Sequence, residues 1–382
     1  MEATKQAERV EHAKLSATVR VLMVAGGTGG HVFPALAVAE ELRRRSQTRL
    51  EAGPQYEILF LGTRRGIEDR VIPSAGFSLH KISGAGLKGI GGWKRFRNLM
   101  VLPQSAIQTA RVFHVFRPQV VLGLGGYLAG PAMLRAALQG IPTVLIEPNA
   151  IPGFTNRILR PVVRAAAVAF AETARFYGRK ARVTGNPIRA AFASVPPRRH
   201  APPFTLLILG GSLGATAINN CVVAGLERFQ RMDACPRFIH QSGERDYNKV
   251  SQAYQDRGIP AEVHAFIEDV PAALAQADLV ISRAGGNAAA ELAAAGKASL
   301  LVPFPGAADQ HQLANARALE RAGAARVIEQ KNLSPEKLVS EISSLLGDLG
   351  VFEKMERSAR AFARPNAAAD IADLVEELAM RR

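Results

Sequence analysis

The chain has 382 residues, 48% hydrophobic and 21% charged, and carries a formal net charge of +15. It contains no apolar run of about 18 residues or more, which excludes a membrane-spanning helix. On a prior of roughly 150 residues per domain it holds two or three globular domains, and its charge points to an anionic partner.

Residues 1–18 are polar, with mixed charge and no apolar centre of a secretory signal. They read as a disordered tail on a chain that stays in the cytoplasm. Arg20–Ala25 then reads as a strand, followed by Gly26-Gly27-Thr28-Gly29-Gly30 and a helical pattern over Val32–Arg45. Glycines here permit positive φ and close approach of a ligand to the backbone, and the helix start adds unpaired N–H groups and the positive end of its dipole. Such a loop suits a diphosphate. It is neither G-x-G-x-x-G nor a P-loop. Further strands are expected over Tyr56–Leu61, Phe77–Ile82, Val120–Leu122, Thr143–Ile146, Ala165–Phe170 and Ala181–Thr184. Helices are expected over Trp93–Phe116, which Pro118 stops, and Leu128–Gln139. Alternation of this kind predicts a parallel sheet with helices on both faces.

Residues 194–203, SVPPRRHAPP, hold four prolines and three basic side chains and read as an interdomain linker. The pattern then restarts. Phe204–Leu209 leads into Gly210-Gly211-Ser212-Leu213-Gly214, and strands follow at Arg237–His240, Ala261–His264, Leu279–Ser282 and Ser299–Pro303. Ala367–Met380 is a last amphipathic helix that can cross back onto the first domain. The expected division is a tail at 1–18, an N-terminal domain at 19–193, a linker at 194–203, a C-terminal domain at 204–364 and the terminal helix in 365–382. The fold class is α/β, with two doubly wound Rossmann-like domains facing across a cleft. Cys221 and Cys235 read as buried small hydrophobes and not as a disulfide.

Between Asp69 and Glu147 there is no acidic residue, yet the interval contains Arg70, Lys81, Lys88, Lys94, Arg95, Arg97, Arg111, Arg117 and Arg135. Trp93, Phe96 and Met100 fall on one helical stripe flanked by Lys94, Arg95 and Arg97. A basic aromatic segment of this type either packs into the core or lies on an anionic membrane surface, and the acid-free setting favours the membrane.

Taken together, Gly26 to Pro34, Gly123-Leu124-Gly125-Gly126-Tyr127, Gly185-Asn186-Pro187-Ile188-Arg189 and Gly210-Gly211-Ser212 resemble the MurG family of N-acetylglucosaminyltransferases, a family 28 type of GT-B fold. The resemblance runs from about Val21 to Asp370. It implies inverting transfer of N-acetylglucosamine from UDP to the C4 hydroxyl of the muramoyl unit of lipid I, forming lipid II for peptidoglycan, cell shape and division. It implies donor contacts at Thr28, Gly29, Gly30, Asn149, Arg189, Ser212, Ile267, Glu291 and Gln312. Ile267 would read uracil through its backbone, Glu291 would accept the ribose hydroxyls, and the stretch Asp309 to Gln312 would meet the sugar. No D-x-D pair is present to hold a metal, so backbone amides and Arg189 take the diphosphate charge, and no metal or other cofactor is expected. His31 is the candidate base, kept neutral by the helix dipole, with Glu147 and Asp309 as rivals. Membrane contact is assigned to Ile90, Trp93, Lys94, Arg95, Phe96 and Arg97 at the cytoplasmic face of the inner membrane, where other cell-wall synthesis proteins are further possible partners. Pro148, Leu213 and Ala288 depart from the family pattern. A 2-epimerase or soluble-acceptor transferase is the alternative. Nucleic acid is disfavoured, because only 6% of residues are aromatic and no RNA-binding motif is present.

Overall fold

The computed structural model describes residues 18–49, 53–63, 66–82, 101–211 and 214–381. The expected tail, the membrane segment from Ile90 to Arg97, and Ser212 and Leu213 lie outside the described residues, although Thr18 itself opens the first strand. The chain forms two compact units. One takes the chain up to Pro148, Pro152–Ile188 and the stretch from Asn366 onward. The other takes Asn149–Ile151 and Arg189–Pro365.

The first unit holds a seven-stranded parallel sheet. Its strands are β1 (Thr18–Val24), β2 (Gln55–Thr63), β3 (Ser78–Ile82), β4 (Val120–Gly123), β5 (Thr143–Glu147), β6 (Ala165–Val168) and β7 (Ala181–Val183), ordered β3-β2-β1-β4-β5-β6-β7. Around it lie α1 (Gly29–Arg49), α2 (Glu68–Ser74), α3 (Val101–Phe116), α4 (Gly126–Leu138), α5 (Phe154–Leu159) and α6 (Ala171–Tyr177). Strand side chains alternate between faces. Val21 and Met23 join a core with Val38 and Leu42 of α1, whereas Leu22 and Val24 join another with Phe113 of α3 and Met133 of α4. Burial on both faces is why these strands read as unbroken apolar runs.

The second unit holds a six-stranded parallel sheet. Its strands are β8 (Thr205–Leu209), β9 (Arg237–Gln241), β10 (Ala261–His264), β11 (Leu279–Ser282), β12 (Ser299–Leu301) and β13 (Ala325–Val327), ordered β10-β9-β8-β11-β12-β13. Its helices are α7 (Ala190–Ala193), α8 (Thr216–Gln230), α9 (Tyr247–Gln255), α10 (Val270–Gln276), α11 (Gly286–Ala294), α12 (His311–Arg321), α13 (Pro335–Leu346) and α14 (Leu349–Phe362). The last helix, α15 (Ala367–Met380), packs on α1 of the first unit. There Arg45 donates to Asp373 Oδ1 at 2.7 Å and to the Ala369 carbonyl at 2.9 Å.

In each sheet the strand order reverses once, at β1/β4 and at β8/β11. Loops leaving the carboxyl ends there run in opposite directions and open a crevice, the usual ligand position in such sheets.

Two expectations change. The proline-rich stretch 194–203 is not a free spacer. Val195 is buried, and Arg198 Nε and His200 Nδ1 both donate to Asp278 Oδ1, at 2.9 and 2.8 Å. Its basic side chains find a buried carboxylate of the second unit, so the unit boundary falls at Ile188/Arg189. Helix α1 begins at Gly29 and not at Val32, because the Thr28 carbonyl already accepts from the amides of His31 and Val32. Gly29 and Gly30 thus supply first-turn N–H groups.

Candidate active site

At the carboxyl edge of the first sheet, the glycine loop after β1 rests on Glu68. This side chain is fully buried. Its Oε2 accepts from the Gly27 amide at 2.9 Å, and its Oε1 accepts from the Thr63 amide at 2.9 Å and the Thr63 hydroxyl at 2.7 Å. Glycines make room for it: a Cβ on Gly26, Gly62 or Gly66 would lie within 2.8 Å of its side chain. Glu68 in the sequence Gly66-Ile67-Glu68-Asp69 gives no local sign of this role, since acids at a helix start are commonplace.

His31 lies in the first turn of α1, with Nδ1 3.4 Å from the Gly26 carbonyl. Burial lowers its pKa, while the bond to Gly26 and the charge of Glu68 pull the other way. Its neutrality therefore comes chiefly from desolvation, where the sequence suggested the helix dipole. Thr28 and Gly30 are exposed beside it, and Gly29 is half-buried. Gly126, with φ +71, approaches the imidazole edge. Tyr127 follows, with its hydroxyl bonded to Thr63 and its pKa raised by burial.

Glu147, a rival for the base, is buried, and its Oε2 accepts from the Gly153 amide and from Asn156 Nδ2, both at 2.8 Å. It braces the turn between β5 and α5. Asn156 Oδ1, buried beside Gly125, has no hydrogen-bond partner among the described residues.

In the second unit, the corresponding edge carries the other expected residues. Gln241 closes β9 and was not foreseen. It is buried, its Nε2 donates to the Gly211 carbonyl at 2.8 Å, and its Oε1 accepts from the Ile267 amide at 3.0 Å. The backbone N–H of Ile267 is thus occupied, which leaves its carbonyl as the group able to read a base. Glu291 stands in α11, its pKa raised to about 7 by burial, with Arg189 pulling it down. Arg189 caps α7 and is exposed, its guanidinium 5.0 Å from the centroid of Phe192. Gln312 spends its oxygen on the Phe304 amide at 2.9 Å and the Ala284 amide at 3.3 Å, which leaves its NH₂ for a ligand.

Asn149 belongs to this unit. Its Oδ1 accepts from Asn315 Nδ2 at 3.1 Å, and Asn315 Oδ1 accepts from the Ala150 amide at 2.8 Å. Asn315 is fully buried and holds the Asn149–Ile151 segment. His311 Nδ1 adds a bond to the Ile151 carbonyl at 2.9 Å. Asp309, the other rival base, is an exposed carboxylate 3.9 Å from His311 Nε2. It and Gln310 sit in succession at φ 50 and 55, a left-handed pair that costs strain without glycine.

The structure therefore gathers Thr28, Gly29, Gly30 and His31 at one sheet edge, and Asn149, Arg189, Ile267, Glu291 and Gln312 in the other unit. Over residues 21–168 the chain matches the glycosyltransferase family 28 N-terminal domain, and over residues 205–375 the family 28 C-terminal domain. A Syntrophus aciditrophicus protein named UDP-N-acetylglucosamine--N-acetylmuramyl-(pentapeptide) pyrophosphoryl-undecaprenol N-acetylglucosamine transferase is 43% identical over 359 residues, 93% of this chain and 98% of its own. A Myxococcus xanthus protein of the same name is 41% identical over 363 residues, 94% of this chain and 93% of its own. The crystal structure of Acinetobacter baumannii MurG superposes with a TM-score of 0.76 at 32% identity, covering 94% of this chain and 99% of that one. UDP-GlcNAc 2-epimerase from Neisseria meningitidis superposes with a TM-score of 0.67 at 14% identity, a likeness of fold alone. With both halves matched and relatives at 41–43% identity along nearly its whole length, and with the paired Rossmann-like units of the GT-B class, the chain belongs to glycosyltransferase family 28.

Proposed function

We propose that this enzyme transfers N-acetylglucosamine from UDP-N-acetylglucosamine to the C4 hydroxyl of the muramoyl sugar in undecaprenyl-diphospho-N-acetylmuramoyl-pentapeptide, with inversion. The observation that carries the reading is the full-length likeness to relatives named for this transfer. The acceptor hydroxyl gives its proton to His31 Nε2. Its oxygen bonds the anomeric carbon as the bond from that carbon to the β-phosphate oxygen breaks, and UDP leaves with the electron pair. Arg189 offsets the charge on the departing diphosphate. The test is transfer of labelled N-acetylglucosamine from UDP to a lipid I analogue, with and without chelator. A labelled lipid II product is expected in both, and none in either would overturn the reading.

Glu291 as the ribose acceptor gives donor binding a pH dependence. Its carboxyl is neutral below about 7 and ionised above. Only the ionised form accepts from both hydroxyls, so the donor KM is expected to fall as pH rises through 7. Glu291→Gln should flatten that profile and raise KM by about tenfold or more, since hydrogen bonds to a charged group are worth about 1.5–3 kcal/mol. An unchanged profile in the variant would remove Glu291 from ribose recognition.

The acceptor's lipid requires a membrane surface. Helices α3, α4 and α5 pack side by side and expose Ile107, Val115, Leu134, Leu138, Phe154 and Ile158. Arg111, Arg117, Arg135 and Arg160 are exposed among them. Scattered apolar side chains need no explanation, but six on adjacent helices with basic neighbours suit an anionic interface. Each basic residue there is worth about 1 kcal/mol. Leu134→Ser/Arg135→Gln/Leu138→Ser is expected to reduce sedimentation with anionic vesicles at least tenfold while preserving donor binding. Undiminished sedimentation would rule this face out.

A further inference from the structure

The amide of Gly27 and the carbonyl of Gly26 belong to one peptide group. Glu68 Oε2 accepts from its N–H at 2.9 Å, and His31 Nδ1 lies 3.4 Å from its oxygen. Carboxylate, peptide and imidazole thus form a continuous line. A carbonyl oxygen only accepts, so Nδ1 must carry the ring proton and Nε2 the lone pair. We propose that Glu68 is a positioning residue for transfer: acting through the Gly26–Gly27 peptide, it sets the tautomer of His31 and supports the imidazolium that forms when Nε2 takes the acceptor proton.

Three observations converge on this. The carboxylate is fully buried, a costly arrangement unless its oxygens are bonded, and three N–H or O–H donors meet them. The glycines at 26, 62 and 66 make space for this side chain, so the chamber is shaped for it. Hydrogen bonds in series polarise one another: a carboxylate drawing on the N–H of a peptide enriches its carbonyl oxygen, which then holds Nδ1–H more firmly. The arrangement does what a carboxylate bonded directly to a catalytic histidine does, with a peptide group interposed. Among the described residues, Tyr127 on α4 is the other titratable group of this shell; its pKa, ordinarily 10, is raised further by burial, so it is neutral near pH 7. Among the described residues, Glu68 is therefore the anion available to offset the new positive charge.

The inference rests on His31 as the base, and two measurements separate them. In full-length protein carrying ¹⁵N-histidine, with the His31 signal identified by its loss in His31→Gln, the wild-type ring is expected in the Nδ1–H form. Finding Nε2–H instead would overturn the proposal without any variant at position 68. In Glu68→Gln one amide oxygen still serves Thr63, while an NH₂ now opposes the Gly27 N–H. The Nδ1–H form should lose its dominance, and the His31 titration and the acid limb of kcat/KM should move together to lower pH. Turnover should fall about ten- to a hundredfold, part of what a positioned base supplies, with donor KM within about twofold. An unchanged His31 titration in a folded Glu68→Gln protein would refute the relay. If His31→Gln retains turnover, the base assignment falls, while the tautomer measurement still decides the relay.

Discussion

Replacing His31 with alanine is expected to lower turnover by about 10²- to 10⁴-fold, the usual contribution of a positioned general base. Binding of UDP, measured calorimetrically, should change little. Glu147 accepts from the Gly153 amide and from Asn156, and Asp309 lies in the second unit; retained turnover would point to one of these two rivals. In the wild type the base should already be neutral below its ordinary pKa of 6.5, because burial lowers it. The kcat profile should therefore begin to fall only at a pH below that ordinary value. The donor KM, governed by Glu291, should change near pH 7. Two limbs in different kinetic parameters would separate two residues that a single bell-shaped curve would merge. Near-normal turnover in His31→Ala would dismiss the imidazole from the chemistry.

The second large effect concerns stability. Asp278 is fully buried and accepts from the Thr205 amide at 2.7 Å, from Arg198 and from His200, while His200 Nε2 faces Glu356 Oε2 at 3.1 Å. Asp278→Ala removes the shared acceptor and leaves its donors unpaired. Breaking a buried pair from one side costs about 3–5 kcal/mol, and urea unfolding should show it. The hydrogen bonds to Asp278 and Glu356 raise the His200 pKa from 6.5 to about 9. Its stabilisation is complete below 6.5 and is lost as pH rises through 9. Burial works to raise the Asp278 pKa, but His200, Thr205 and Arg198 together hold it below its ordinary value. Its contribution is therefore present above 3.8 and is lost on further acidification. Wild-type stability should decline from pH 6.5 to 9.5, and Asp278→Ala should flatten that decline. Equal unfolding midpoints for the two proteins would show that the network carries no net stability.

Much of the architecture was legible because its punctuation is local. Glycine clusters after apolar runs mark carboxyl ends of strands, and they located the loops after β1, β4 and β8. What escaped were side chains whose partners lie far along the chain. Glu68 lies 41 residues from Gly27, Gln241 lies 26 from Ile267, and Asn315 lies 165 from Ala150. No spacing rule connects such pairs; for Glu68 and Gln241 a parallel sheet brings the partners together by aligning strand ends, while Asn315 meets a segment that leaves the first sheet for the second unit. The stretch 194–203 misled for the opposite reason. Its composition is that of a spacer, yet Arg198 and His200 are drawn in by Asp278, a residue whose burial no local pattern announces.

Helix α15 completes the core of the first unit against α1, yet the ribosome delivers it only after the whole of Arg189–Pro365. During translation the later half can close while the earlier one still waits, its Val38 and Leu42 side lacking Ile371, Val375 and Leu378. A nascent chain stalled short of α15 would therefore present that greasy stripe to chaperones.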